Sequence, residues 1–223
     1  MIYIKTAEEI EGMRAACDLV SRTLGEVAKW VDPGVTTRKL DNVAREFILD
    51  NGGKPACLGY QGFPGTLCIE VNETVVHGFP SGYVLKEGDV IGTDCVVELN
   101  GYHGDSCYTF AIGEIDEKTE RLLKTTFESL YKGIEVALPG KRIGDISNAI
   151  QTYCEKAGYS VVREMCGHGI GKSMVHGGGF AGTIQAFVPI EISGNYAMEM
   201  NRIFGENSCY ILRLRPVGGT ELT

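Results

Sequence analysis

The sequence predicts an α+β fold made of two similar halves, each a pair of helices followed by an antiparallel hairpin. Three observations predict it. The first is Asn100-Gly101, which stands between two β-rich runs, Val90 to Leu99 and Tyr102 to Gly113. Asn-Gly flanked in this way is the strongest short-range hairpin signal. The second is a set of long segments whose apolar residues recur at helical spacing. The third is an internal repeat. Pro33-Gly34, Leu40, Asn42, Phe47 and Gly52 recur as Pro139-Gly140, Ile146, Asn148, Tyr153 and Gly158, always 106 residues further on. A duplicated unit accounts for that constant offset. The two halves then run from about 6 to 113 and from 114 to 215, within one domain spanning 1–223.

Thr6-Ala-Glu-Glu9 is a capping-box signature and opens the first helix. Ile10, Met13, Cys17, Val20, Leu24, Val27 and Val31 follow as its apolar stripe, and Asp32-Pro33-Gly34 ends it. A second helix begins near Thr36 or Thr37, with Leu40, Val43, Ala44, Phe47 and Ile48 on one face, and stops at Asn51-Gly52-Gly53. From Pro55 to Val90 the pattern turns to short strands and Gly/Pro loops. After the hairpin, Asp116 to Ala137 reads as a long helix with Leu122, Leu123, Phe127, Leu130 and Ile134 as its stripe. Ile143 to about Lys156 is the next helix, closed by Gly158, and Tyr159 to Val162 is a strand. The repeat offset places a second hairpin at about 197–214, with Glu199 one residue from the position equivalent to Asp94.

Composition narrows the function. Apolar content of 43% and charged content of 22% are ordinary for a globular protein of 223 residues. The net charge of −8 and the lack of a basic stripe argue against a nucleic-acid footprint. They suit a site that attracts metal cations or an ammonium group. No apolar run approaches the length of a membrane span, and the first residues lack the basic and apolar regions of a signal peptide. A cytoplasmic monomer is the expectation. Its eight cysteines then read as thiols, and none forms a Cys-x-x-Cys pair.

The hairpin carries the chemistry. If Asn100-Gly101 is a two-residue turn, Leu99 pairs with Tyr102, Asp94 lies opposite Cys107 and Val96 opposite Asp105. Side chains alternate faces with period two, so Asp94 and Asp105 share one face as diagonal neighbours, about 7 Å apart or less. Two carboxylates converging on a face repel unless a proton or cation sits between them. Hard or borderline divalent metals take such oxygens, although two solvated aspartates would satisfy the same pattern. All four histidines, His77, His103, His168 and His176, stand beside glycine, and His168 is flanked by it on both sides.

Five motifs now resemble type I, bacterial-type methionine aminopeptidases. They are Cys57-Leu-Gly-Tyr60-Gln-Gly-Phe-Pro64, Asn72-Glu-x-Val-Val-His77-Gly-x-Pro80, Asp89-Val-Ile-x-x-Asp94, Gly101-Tyr-His-Gly-Asp105 and Gly167-His168-Gly-Ile-Gly171. They come in that family's order and spacing, from about Thr6 to Lys172. The resemblance implies the pita-bread α/β fold, two pseudo-symmetric halves with antiparallel sheet covered by helices. It implies removal of an N-terminal methionine from nascent polypeptides, met at the ribosome, when the next residue is small. It also implies divalent metal ions, two per chain in the family, drawn from Co, Mn, Fe, Zn or Ni. Asp94, Asp105 and His168 resemble metal ligands, Asp105 being the bridging carboxylate. His77 and His176 resemble the catalytic histidines that contact substrate, and Cys57, Tyr60, Phe63 and Cys68 the methionine pocket.

After about Lys172 the motifs diverge or are disrupted. His176-Gly-Gly-Gly179 stands where the family has His-Glu-(Glu or Asp)-Pro. Val188 stands where the glutamate of Ile-Glu-Pro belongs, with Glu191 nearby but out of register. Glu199, in Met198-Glu199-Met200, is the remaining candidate ligand. One metal instead of two, and a catalytically impaired protein that acts as a binding module, is the alternative these departures imply.

Overall fold

The computed structural model describes residues 4–162, 165, 167–174 and 187–189. The chain divides into two compact units, 1–120 with 168–181, and 121–167 with 182–223.

The first unit opens with helix α1 (Ala7–Ala28). The Thr6 side chain accepts from the Glu9 N–H, and the Glu9 carboxylate accepts from the Thr6 N–H, which satisfies two of the end's unpaired donors. Helix α2 (Thr37–Asp50) begins at a Thr36 cap and turns Leu40, Val43, Ala44 and Ile48 inward. The sheet follows: β1 (Lys54–Pro55), β2 (Leu67–Val71), β3 (Val90–Leu99) and β4 (Tyr102–Ala111). Strand β3 is central. Along one edge β4 pairs with it from end to end, and along the other β1 and β2 lie in line, β1 opposite Val97 and Glu98 and β2 opposite Ile91 to Cys95. The 56–66 segment, with a 3₁₀ turn at Tyr60–Gly62, is thus a loop inserted into a split strand.

Helix α1 packs on β3 and β4, and its buried face is Ala16, Leu19, Val20, Thr23, Leu24 and Val27. This corrects the stripe read from the sequence. Ile10 is 44% exposed and Cys17 is exposed. The reason is small residues. A Cβ on Gly12 would enter the Tyr102 ring, and one on Gly104 would meet the Ala16 backbone at 2.6 Å. Close approach of helix and strand requires glycine at those positions. The core of this unit gathers Leu19, Val20, Val27, Leu40, Ile48, Leu67, Ile91 and Val97 on one side of the sheet.

The second unit contains α3 (Glu117–Glu135), which begins at the end of the first unit, α4 (Ile143–Lys156), β5 (Tyr159–Val161) and β6 (Phe187–Pro189). Gly158, at φ +89°, ends the α4 segment in the left-handed conformation that glycine adopts at helix ends. Strand β6 pairs antiparallel with β5, Val188 opposite Ser160. Here too the expected stripe is displaced. Phe127, Leu130 and Ile134 are exposed, while Thr125, Ser129 and Gly133 are buried. Gly133 lets α3 approach Ile146 and Ile150 of α4. The second hairpin expected at 197–214 lies outside the described residues.

Candidate active site

The Asn100-Gly101 turn sets the site. Both residues have positive φ, +52° and +80°, as a two-residue hairpin turn requires. The register is the one read from the sequence: Leu99 pairs with Tyr102, Asp94 with Cys107 and Val96 with Asp105. Odd-numbered positions of β3 carry Ile91, Cys95 and Val97 into the core. The opposite face carries Asp94, joined across the strands by Cys68 of β2 and by Cys107 and Asp105 of β4.

Asp94 and Asp105 are within hydrogen-bonding reach of one another. Burial, the neighbouring Asp105 charge and Glu70 push the Asp94 carboxyl well above the usual range. Asp105 is also raised by burial, but His168 and a hydrogen bond from Asp94 offset part of that. Burial therefore favours the protonated form of both carboxyls, more strongly at Asp94. Such a pair requires a proton or a cation between its oxygens. His168 Nε2 lies 3.7 Å from Asp105 Oδ2, and both side chains are about one-quarter exposed. Its segment is held to β4 and α1. The Gly171 carbonyl accepts from the His103 N–H at 2.8 Å, and Lys172 Nζ lies 3.3 Å from Glu9 Oε1.

Oxygen donors with an imidazole beside them match the ligand chemistry of divalent first-row metals. Asp94, Asp105 and His168 are of the donor types such an ion takes. Among the described residues no group of three or more His, Cys, Asp or Glu side chains is arranged to hold a metal ion. Glu199 and the substrate-contacting candidate His176 lie outside the described residues. The expected result for His168→Ala is at least a tenfold weaker divalent-metal Kd, read by titration calorimetry (roughly the loss seen when a metal site is perturbed). An unchanged Kd would remove His168 from the ligand set.

The other candidates border this face. Cys68 donates its S–H to Cys57, which pulls the Cys57 thiol pKa down and pushes its own up. Phe63 stacks edge-on against Phe79, ring centres 5.3 Å apart, which ties the 56–66 loop to the loop bearing His77. Tyr60 is 48% exposed, at the start of the 3₁₀ turn. His77 is exposed and has φ +54°, a left-handed conformation unusual for a residue with a side chain.

Two buried carboxyls were not picked out in the sequence. Asp41 of α2 accepts from the Thr66 and Leu67 N–H groups at 2.7 and 2.8 Å, fixing where β2 begins. Glu70 of β2 lies on the Asp94 face and accepts from the Gly78 N–H at 3.2 Å, next to His77. The signal for Glu70 was parity, two residues beyond Cys68. The signal for Asp41 was absent, because its partners lie on a distant segment. Burial raises Glu70 from 4.5 to about 7. The folded pKa lies above the unfolded one, so its stabilisation is full below about pH 4.5 and is lost as pH rises through about 7. The metal-free chain should lose about 3 kcal/mol of stability across that window from this group. Glu70→Gln is expected to flatten the dependence, as measured by urea unfolding at pH 5 and pH 8. An unchanged slope would place the titration elsewhere.

Comparison with known proteins decides the family. The profile of Metallopeptidase family M24 matches residues 11–203. Methionine aminopeptidase 1 of Bacillus subtilis is 48% identical over 174 residues, 78% of this chain and 70% of that protein. The chain belongs to the M24 metallopeptidases. Within them it groups with the bacterial methionine aminopeptidases, of which the Clostridium acetobutylicum protein is 51% identical over 175 residues, 78% of this chain and 70% of that protein. The crystal structure of the Rickettsia prowazekii methionine aminopeptidase superposes with a TM-score of 0.78 at 39% identity, covering 82% of this chain and 77% of that one. The pita-bread fold of this family is therefore the fold of this chain. The M24 profile also runs about thirty residues past Lys172, further than the five sequence motifs extend.

Proposed function

We propose that this chain removes the N-terminal methionine from nascent polypeptides in the cytoplasm when the following residue is small. The observation that carries the reading is the Asp94–Asp105 pair on the open sheet face, with His168 3.7 Å from Asp105 and the Cys57–Cys68 pair alongside. Divalent ions bound there supply Lewis acidity and a water acidified toward neutral pH. Asp94 and Asp105 provide the negative charge that retains them, and His168 orients at the Asp105 side. His77, in the loop anchored by Glu70, faces the peptide. Sulfur and aromatic groups at Cys57, Cys68 and Phe63 suit a thioether side chain. Among the described residues no helix is long and apolar enough to cross a membrane.

The test is turnover of Met-Ala-Ser against Met-Lys-Ser with excess Mn²⁺ or Co²⁺. An apolar pocket distinguishes side chains by about 1–3 kcal/mol per methylene, so rejection of lysine needs a steric wall and should be nearly complete. Equal rates on the two peptides would refute the specificity. A second reading, a folded but catalytically impaired member that binds peptides, is favoured by one observation. Val188 occupies β6 where the family's glutamate is expected. A metal-poor and inert protein would support that second reading; metal binding with turnover supports the first.

A further inference from the structure

Two thiols outside the metal-binding carboxylates are brought together by the split strand. Cys57 lies just beyond β1 and Cys68 is the second residue of β2. Both strands run along the same edge of β3. The seam between them falls at Val96, whose carbonyl accepts from the Ala56 N–H at 2.9 Å. The chain leaves the edge at Cys57, forms the loop that carries Tyr60 and Phe63, and returns at Cys68. Cys57 and Cys68 thus stand at the two ends of that loop, next to the seam where β1 and β2 meet along the edge of β3. They are 8% and 4% exposed and have no disulfide. By strand parity Cys68 faces the open side of the sheet, opposite Asp94.

We propose that Cys57 and Cys68 form an oxidisable dithiol, a site where a peroxide installs a reversible disulfide across the neck of the 56–66 loop. The reaction balances with peroxide as the oxidant. Cys57 sulfur takes one peroxide oxygen, releasing water and leaving a sulfenic acid. Cys68 sulfur then displaces hydroxide from Cys57 sulfur, its proton leaves with the hydroxide as a second water, and the S–S bond forms. Both sulfurs lose one electron each, and the peroxide O–O bond is the one reduced. Disulfides inside cells are typically transient and redox-sensing, which suits a bond made under peroxide and undone by thiols. Closing the neck removes both thiols from the surface that would receive a methionine side chain. That consequence rests on the function proposed above; the disulfide itself does not.

The experiment treats the folded full chain with hydrogen peroxide, blocks remaining thiols, and maps linked peptides by mass spectrometry without reductant. A Cys57–Cys68 linkage, lighter by two hydrogens and restored by dithiothreitol, is the expected result. Exposed Cys17 and Cys107 report the dose. Oxidation of those two while Cys57 and Cys68 stay reduced would overturn the proposal, as would linkage of either residue to another cysteine. In Cys68→Ser the expected product is a Cys57 sulfenic acid trapped by dimedone, and no trapping at a dose that links the unsubstituted chain would overturn the order of steps. Turnover of Met-Ala-Ser is followed in parallel. An inert reduced chain would count against the function and leave the linkage result standing.

Discussion

Asp105→Ala should abolish turnover of Met-Ala-Ser while making the metal-free chain harder to unfold. The two effects have one cause. Asp94 and Asp105 are within hydrogen-bonding reach on one sheet face, and the Asp105 charge adds to burial in raising the cost of ionising Asp94. Removing Asp105 takes away that contribution, so Asp94 titrates closer to a carboxyl raised by burial alone and the folded state keeps one fewer buried charge. The same deletion removes a charge that the proposed divalent site cannot lack. A loss of about 10³-fold or more in kcat/KM is expected, equivalent to about 4 kcal/mol at roughly 1.36 kcal/mol per decade. Thermal unfolding with chelator present should show a higher midpoint at pH 7, and added Mn²⁺ should shift the unsubstituted chain more than the variant. A variant less stable without metal would mean that the pair is held by hydrogen bonds that outweigh its repulsion.

Val188→Glu is expected to act in the opposite direction, raising turnover by about 10²–10⁴-fold, the range that one positioned general base contributes. Val188 lies in β6, opposite Ser160 of β5, where the resemblance to methionine aminopeptidases places a glutamate. Valine neither accepts a proton nor balances the charge of a cation. The measurement is steady-state kinetics with excess Mn²⁺ or Co²⁺, comparing the chain as it stands, Val188→Glu and Glu191→Ala. Ordinary rates in the unsubstituted chain, lost in Glu191→Ala, would show that Glu191 fills the role. Silence in all three would mean that the departures after Lys172 reach beyond one side chain.

The parts of the fold that the sequence made legible are those set by local chemistry. Asn100-Gly101 fixes a turn type, the turn fixes a register, and period-two alternation then places Asp94 and Asp105 on one face without reference to the rest of the chain. The Thr6–Glu9 box and the span Ile143–Lys156 were legible for the same reason. Hydrophobic periodicity failed where contact runs through small residues. Gly12 and Ala16 bring α1 onto the hairpin, and Gly133 brings α3 onto α4, so the larger apolar residues beside them face outward. Tertiary pairing was illegible too. Asp41 reads as an ordinary helical aspartate until the Thr66 and Leu67 amides arrive. Cys57 and Cys68 were readable as pocket residues, but their contact with each other follows from the β1–β2 seam, which no local pattern announces.

The sequence separation of the site residues sets an order of assembly in time. Asp94 and Asp105 meet through a two-residue turn, among the fastest contacts a chain can form. His168 arrives only after two further helices have been made, and its segment docks by the Gly171 carbonyl on the outer edge of β4. During synthesis the acid pair therefore exists as a folded element well before the imidazole that completes it. A ribosome-bound intermediate ending near Val162 should already bury its carboxylates, and would be neutralised by protons rather than by a tightly held ion. Docking of this segment also occupies the His103 N–H on the free edge of β4, one of the donors that edge would otherwise present to other chains.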